Sequence, residues 1–247
     1  MRAFLIAVQF LTTLPVTLKR PPTEVESGRS LTFYPLVGLL LGTMLAGGGW
    51  ILRQENPLLV SALLLAVWTA LTGALHLDGL ADCADAWVGG RGDRARTLAI
   101  MKDVCSGPMG VTSIVIVLLM KFAGIAVLCE QHAILQLAIV PLLARTAIQL
   151  LFLTTPYVRA DGLGAAMAAN LRRGNILVAV VLTVFGVLAF TQCAGLWAVS
   201  AAASVFILCQ HSMLARIGGT TGDTAGALAE IAEACTLLAL CFATHGA

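Results

Sequence analysis

Residues 110–129 read GVTSIVIVLLMKFAGIAVLC. Lys121 is the one charge in the run. As a helix rising about 1.5 Å per residue the stretch is about 30 Å long, the thickness of a bilayer's hydrocarbon core. Similar apolar runs lie on both sides of it. Residues 31–52, 58–75, 133–153, 175–192, 195–214 and 227–244 have the length and hydropathy of spans. The fold class expected is therefore all-α: a polytopic transmembrane helical bundle of about seven spans. The gap between the runs ending at 192 and starting at 195 leaves room for a tight hairpin only. Gly47, Gly48 and Gly49 lie within the first span and suit a close helix approach.

Composition agrees. The chain is 59% hydrophobic and 11% charged, with a mean hydropathy of +0.92. A soluble domain carries about 25% charge. There is too little polar surface to coat a water-soluble globule, so the partner solvent is membrane lipid. A net charge of +2 with no basic tract excludes nucleic acid. The seven cysteines form no CxxC pair and read as small apolar residues, not as a disulfide frame or a zinc site.

Of the 15 Lys and Arg residues, twelve fall on one side of this topology and Arg53 alone on the other, with Lys121 and Arg145 inside spans. The positive-inside rule then places the N-terminus in the cytoplasm and the C-terminus outside. The whole chain, 1–247, reads as one integral membrane domain. Residues 1–30 form an interfacial helix and a cytoplasmic loop, without a cleavable signal peptide. Residues 76–109, 154–174 and 215–226 are cytoplasmic loops. They carry most of the acids and the glycine-rich turns, so the chemistry is expected on the cytoplasmic face of a bacterial inner membrane.

The first dense segment is TGALHLDGLADCADA, residues 72–86. On a helix Asp78, Asp82 and Asp85 fall within an arc of about 60°. Like charges at such spacing repel, and no Lys or Arg is interleaved. A cation answers that need. Hard oxygen ligands next to a membrane suit Mg²⁺, which binds through a few carboxylates plus substrate phosphates. The plainer alternative is a solvated helix end whose acids favour the dipole. His76 sits at the edge of this segment, either as a structural hydrogen-bonding group or as a substrate contact.

The second is RIGGTTGDTAGALAEIAE, residues 216–233. Its glycines, Gly222 among them, let backbone amides approach phosphate oxygens. Thr221 or Asp223 suits the N-cap of the helix that follows. Glu230 and Glu233 lie inside a span, where an acid costs about 2.5–3.5 kcal/mol at the bilayer centre. They need partners, and either a functional site or an ion pair with Arg145 supplies them. If the two segments fold together, Asp78, Asp82, Asp85 and Asp223 surround a metal, rimmed by Lys102, Arg159 and Arg216.

The motifs, in this order, resemble those of the cobalamin synthase family, the adenosylcobinamide-GDP ribazoletransferases. Phe10–Val16 (FLTTLPV), Phe33–Gly42 (FYPLVGLLLG), Thr72–Asp85, Ile100–Asp103 (IMKD), Leu143–Arg145, Tyr157–Gly164 (YVRADGLG) and Gly218–Glu230 carry the likeness over nearly the full length. Val104–Gly110 departs from the family pattern, which commonly has an arginine there; Lys102 or Arg145 would compensate for it. The resemblance implies Mg²⁺-dependent phosphoryl transfer. A ribose hydroxyl of α-ribazole, or of its 5′-phosphate, attacks adenosylcobinamide-GDP, GMP leaves, and adenosylcobalamin or its phosphate results.

The site expected from both readings has Asp82 and Asp85 as catalytic groups and Asp78, Asp82, Asp85 and Asp223 as ligands for one or two Mg²⁺ ions. Substrate contacts are expected from His76, Lys102, Asp103, Arg145 and Arg159. Arg216, Thr221, Gly222 and Glu230 complete the set, with Asp103 orienting Lys102. A homo-oligomer is left open. A CDP-alcohol phosphotransferase would share the chemistry, but here Asp82 stands where that class has an arginine. A cation transporter would want its carboxylates near mid-bilayer, and a structural subunit leaves the acid–glycine segments without a role.

Overall fold

The computed structural model describes residues 1–160 and 163–244. Asp161 and Gly162 of the YVRADGLG motif lie outside the described residues. The described residues form a helical bundle, and their one β feature is an isolated parallel bridge between Tyr157 and Thr220.

Helix α1, Arg2–Leu11, buries Ile6, Ala7, Val8 and Leu11. Helix α2, Glu24–Ser30, starts at a capping box in which Thr23 and Glu26 satisfy each other's backbone amides. A 3₁₀ turn leads into α3, Tyr34–Ile51. Helix α3 packs against α8, Ile139–Thr154, backbone to backbone. A methyl group added at Gly38 would run into the carbonyl of Pro141, and one at Gly42 into that of Ala138. Those two glycines are one turn apart and share a face. Of the glycine triplet expected to make a close approach, Gly49 is pressed by Ile134 and Leu64, a Cβ at Gly48 would lie 3.3 Å from Leu64, and Gly47 has nothing within 4 Å.

The expected span 58–75 is not one straight helix. Helix α4 covers Pro57–Thr72 and ends where Gly73 and Ala74 both adopt positive φ, 59° and 55°. Glycine supplies the first of these without a steric penalty. Helix α5, Leu75–Gly89, then leaves at 87°. The acidic stretch is thus a separate 15-residue helix, not a loop, and too short and too charged to cross a bilayer alone.

Helices α6, Arg94–Ile100, and α9, Leu163–Ala169, are short connectors. Helix α7 is Pro108–Glu130. The run Arg173–Ile217, α10, covers two of the expected spans, and its backbone breaks at Gln192, with φ 48° and ψ −123°. The run doubles back there. Ile176 and Met213 share one core cluster, and Val187 and Ala198 share another. Val180 and Val184 line the same groove as Val199 and Phe206. Helix α11, Gly222–Thr244, contacts α5, α7, α8 and α10 and is among the most buried elements.

Among the described residues, five helices are long and apolar enough to cross a membrane, and six if the bent α4–α5 pair counts as one. Leu177, Val181, Leu182, Phe185 and Phe190 of α10 face outward, as a lipid-solvated bundle allows.

Candidate active site

The site is built where α5 meets the start of α11. Gly79 sits so close to the backbone of Asp223 that a Cβ there would lie 2.7 Å from its carbonyl oxygen. The bridge at Tyr157 makes the third side: Val158 donates to the Thr220 carbonyl at 2.9 Å, and Thr220 donates to Pro156 at 2.8 Å. This clasp brings Arg159 to Asp223, an ion pair at 2.7 Å. Arg159 also donates to the Met101 carbonyl at 3.3 Å. The two acid-bearing segments and Arg159 are therefore together.

Asp78 is exposed and Asp82 half-buried, and among the described residues neither has an ion-pair partner. Burial raises the Asp82 carboxyl to about 6, helped by the charges of Asp78, Asp223 and Asp85 and opposed by Arg159. That cluster is short of positive charge.

Asp85 faces elsewhere. Its carboxylate accepts from the amides of Gly107, at 2.6 Å, and Gly110, at 3.0 Å. Helix α7 has no side-chain cap of its own, so Asp85 caps it from α5, and the dipole of α7 favours the charge. Each oxygen accepts one amide, which places Asp85, expected as a metal ligand and base, at the start of α7. Thr221, expected as a helix cap and as a substrate contact, takes the cap. Its hydroxyl accepts from the Thr224 amide at 3.2 Å, and the Thr224 hydroxyl accepts from the Thr221 amide at 2.8 Å. Together they cap α11, and Thr221 is fully buried. Gly222, next to it, is exposed.

His76, Arg145 and Glu230 lie inside the bundle, and His76 also lines a cavity beside Asp78 and Asp223. All three are buried. Lys121 pairs with Glu230 at 2.6 Å and with Glu233, and Arg145 pairs with Glu233. Arg145 also lies 3.3 Å from Nδ1 of His76. Four helices, α5, α7, α8 and α11, are pinned by this network, and the intramembrane acids find the partners that lipid cannot offer. Lys121, whose ammonium lies 4.5 Å from the Trp68 ring centroid, was not among the expected site residues. Its signal was present: a lone cation in mid-span.

Lys102 and Asp103 are exposed on the α6–α7 connection. Asp103 accepts from the Cys105 amide at 3.0 Å, a local turn and not an orienting contact to Lys102. Arg216 donates to the Trp87 carbonyl at 2.7 Å and so closes the far end of α5.

Comparison with known proteins decides the family. The family model for cobalamin-5-phosphate synthase matches residues 3–241. The chain belongs to the cobalamin-5-phosphate synthase family. A relative in Stutzerimonas stutzeri is 53% identical over 240 residues, 97% of this chain and 98% of its own. Others in Pseudomonas aeruginosa and Pseudomonas putida are 51% identical with the same coverage. All three bear the name adenosylcobinamide-GDP ribazoletransferase. No solved structure matches this member of the cobalamin-5-phosphate synthase family.

Among the described residues, no group of three or more His, Cys, Asp and Glu side chains is disposed to hold a metal ion unaided. Magnesium keeps waters and takes one or two carboxylates together with substrate phosphates. The unpaired Asp78 and Asp82 beside Asp223 fit such a site.

Proposed function

We propose that this chain joins adenosylcobinamide-GDP to α-ribazole, or to its 5′-phosphate, in the late nucleotide-loop assembly of cobalamin. The family and the names of its relatives support the substrates. The observation that carries the chemistry is the meeting of Asp78 and Asp82 with Asp223 in a cluster that pushes the Asp82 carboxyl up to about 6.

Phosphoryl transfer asks a protein chiefly for positioning and charge neutralisation. Asp78, Asp82 and Asp223 would hold Mg²⁺, which supplies positive charge to the diphosphate. Asp82 receives the proton of a ribose hydroxyl of the ribazole, one that is free in the 5′-phosphate as well. That oxygen bonds to the phosphorus bearing the corrinoid, the bond to GMP breaks, and GMP leaves with the electron pair. Arg159, next to Asp223, faces the charge that develops, with Lys102 and Arg216 further out.

We place the site on the cytoplasmic face of a bacterial inner membrane, in one domain with seven crossings, N-terminus in and C-terminus out. The twelve-to-one bias of Lys and Arg supports this side. The fold-back of α10 at Gln192 supports the number, with α4 as a crossing and α5 turned off from it along the cytoplasmic face.

The test is direct. Membranes carrying the protein are incubated with adenosylcobinamide-GDP, α-ribazole and Mg²⁺, and GMP and the corrinoid product are measured. Chelation should stop transfer. Asp82→Asn should lower turnover by about 10²-fold or more while the protein still inserts. Wild-type rates from that variant would remove Asp82 from the mechanism, and no product from the wild type would end the functional reading.

A further inference from the structure

Asp78 and Asp223 also form part of the wall of a cavity of about 150 Å³. Two aromatic pairs line it. Phe10 and Tyr34 stack with centroids 6.5 Å apart and planes 24° apart. Phe152 and Tyr157 stack at 5.7 Å and 18°. Leu11, Ile148 and Met167 close much of the remainder. At this aromatic and aliphatic part the Tyr34 hydroxyl donates to the Met167 sulfur at 3.5 Å and Nδ1 of His76 faces Arg145, so the polar groups are few beside the apolar wall.

We infer that this cavity seats the planar base of the acceptor nucleoside, with its ribose toward the carboxylates. The inference rests on the proposed transfer reaction and adds where the acceptor binds.

The chemistry of the lining decides between the heteroaromatic groups in the reaction. Guanine and adenine carry amino and keto or ring-nitrogen edges that need partners when buried. The aliphatic wall would leave those edges unpaired. A benzimidazole-type base has an apolar outer edge and flat π faces, which suit Leu11, Ile148 and the two aromatic pairs. The cavity is too small for a corrin. Seating the base there brings the ribose hydroxyls to the side of the cavity where Asp78 and Asp223 lie. From that position the attacking one faces the carboxylate cluster that receives its proton.

The experiment uses the full chain in lipid nanodiscs. Steady-state constants are measured for both substrates in the wild type, Ile148→Phe and Phe152→Leu. Equilibrium binding of α-ribazole alone is measured in parallel. The expected result is an acceptor KM raised about ten-fold or more in both variants. The KM for adenosylcobinamide-GDP should stay within about two-fold, and α-ribazole binding should weaken to match.

In Ile148→Phe the riboside of unsubstituted benzimidazole, which is smaller, should recover part of the loss. A merely structural defect would not give that rescue. An unchanged acceptor KM, parallel rises in both constants, or a rise for the donor alone would overturn the assignment. Absence of turnover in the wild type would instead strike the proposed reaction, and α-ribazole binding would still report on the cavity.

Discussion

Asp82 and Asp85 are three residues apart on α5 and do different work. Asp85 has one amide on each oxygen, and Asp82 stands in uncompensated negative charge. A carboxyl raised in the folded state keeps its proton longer than in the unfolded chain. Its contribution to stability is therefore present at low pH and is lost as pH rises from 3.8 through about 6. Asp82→Asn, permanently neutral, escapes that loss. In chelator, the variant should melt higher than the wild type above pH 6, and the gap should close as pH falls toward 4 or as Mg²⁺ is added. Melting curves in detergent over that range test it; a variant that is less stable at pH 7 without metal contradicts it.

Which acids cluster was legible from their spacing in the two segments. Which of them turns away was not, because the partners of Asp85 come from Gly107 and Gly110 on another helix. The aromatic lining of the cavity was equally hidden. Phe10, Tyr34, Phe152 and Tyr157 come from separate segments, and although three of them sit in the quoted motifs, their spacing along the chain does not show that they meet.

At the scale of elements, hydropathy located the helices but not their bends. Periodicity reports that residues are apolar; it does not report that Gly73 and Ala74 both take positive φ and turn α5 through 87°. Contiguous Gly47–Gly49 drew attention as a contact site, yet Gly38 and Gly42 make the contact because residues four apart share a face. The contrast is testable. Gly38→Leu should force α3 off α8 and cost about 1–3 kcal/mol or more, seen as a lower melting temperature and aggregation on size exclusion. Gly47→Leu, with open space around it, should behave as the wild type or gain slightly from better helix propensity. Equal damage from both would show that the α3–α8 seam is misassigned.

For the whole molecule, the sequence exposed the bundle class, and the structure explains how a charged interior is tolerated. Lys121, Arg145, Glu230 and Glu233 balance in one network and leave His76 as a hydrogen-bonding neighbour. Sidedness can be read from two natural thiols. Cys105 lies on the α6–α7 connection and Cys193 at the α10 turn, and both are exposed. In single-cysteine variants, a membrane-impermeant maleimide should label Cys193 in cells with a permeabilised outer membrane. Cys105 should react only after the inner membrane is opened. Labelling of both from outside would contradict the proposed topology.

The same ionic network also has a temporal side. A ribosome delivers Lys121 and Arg145 to the bilayer well before it has polymerised Glu230 and Glu233. In that interval two cations wait in the nascent bundle without their counter-ions. Maturation is thus held open until α11 emerges, and a prematurely terminated chain would present unneutralised charge to whatever machinery surveys the membrane for unfinished proteins.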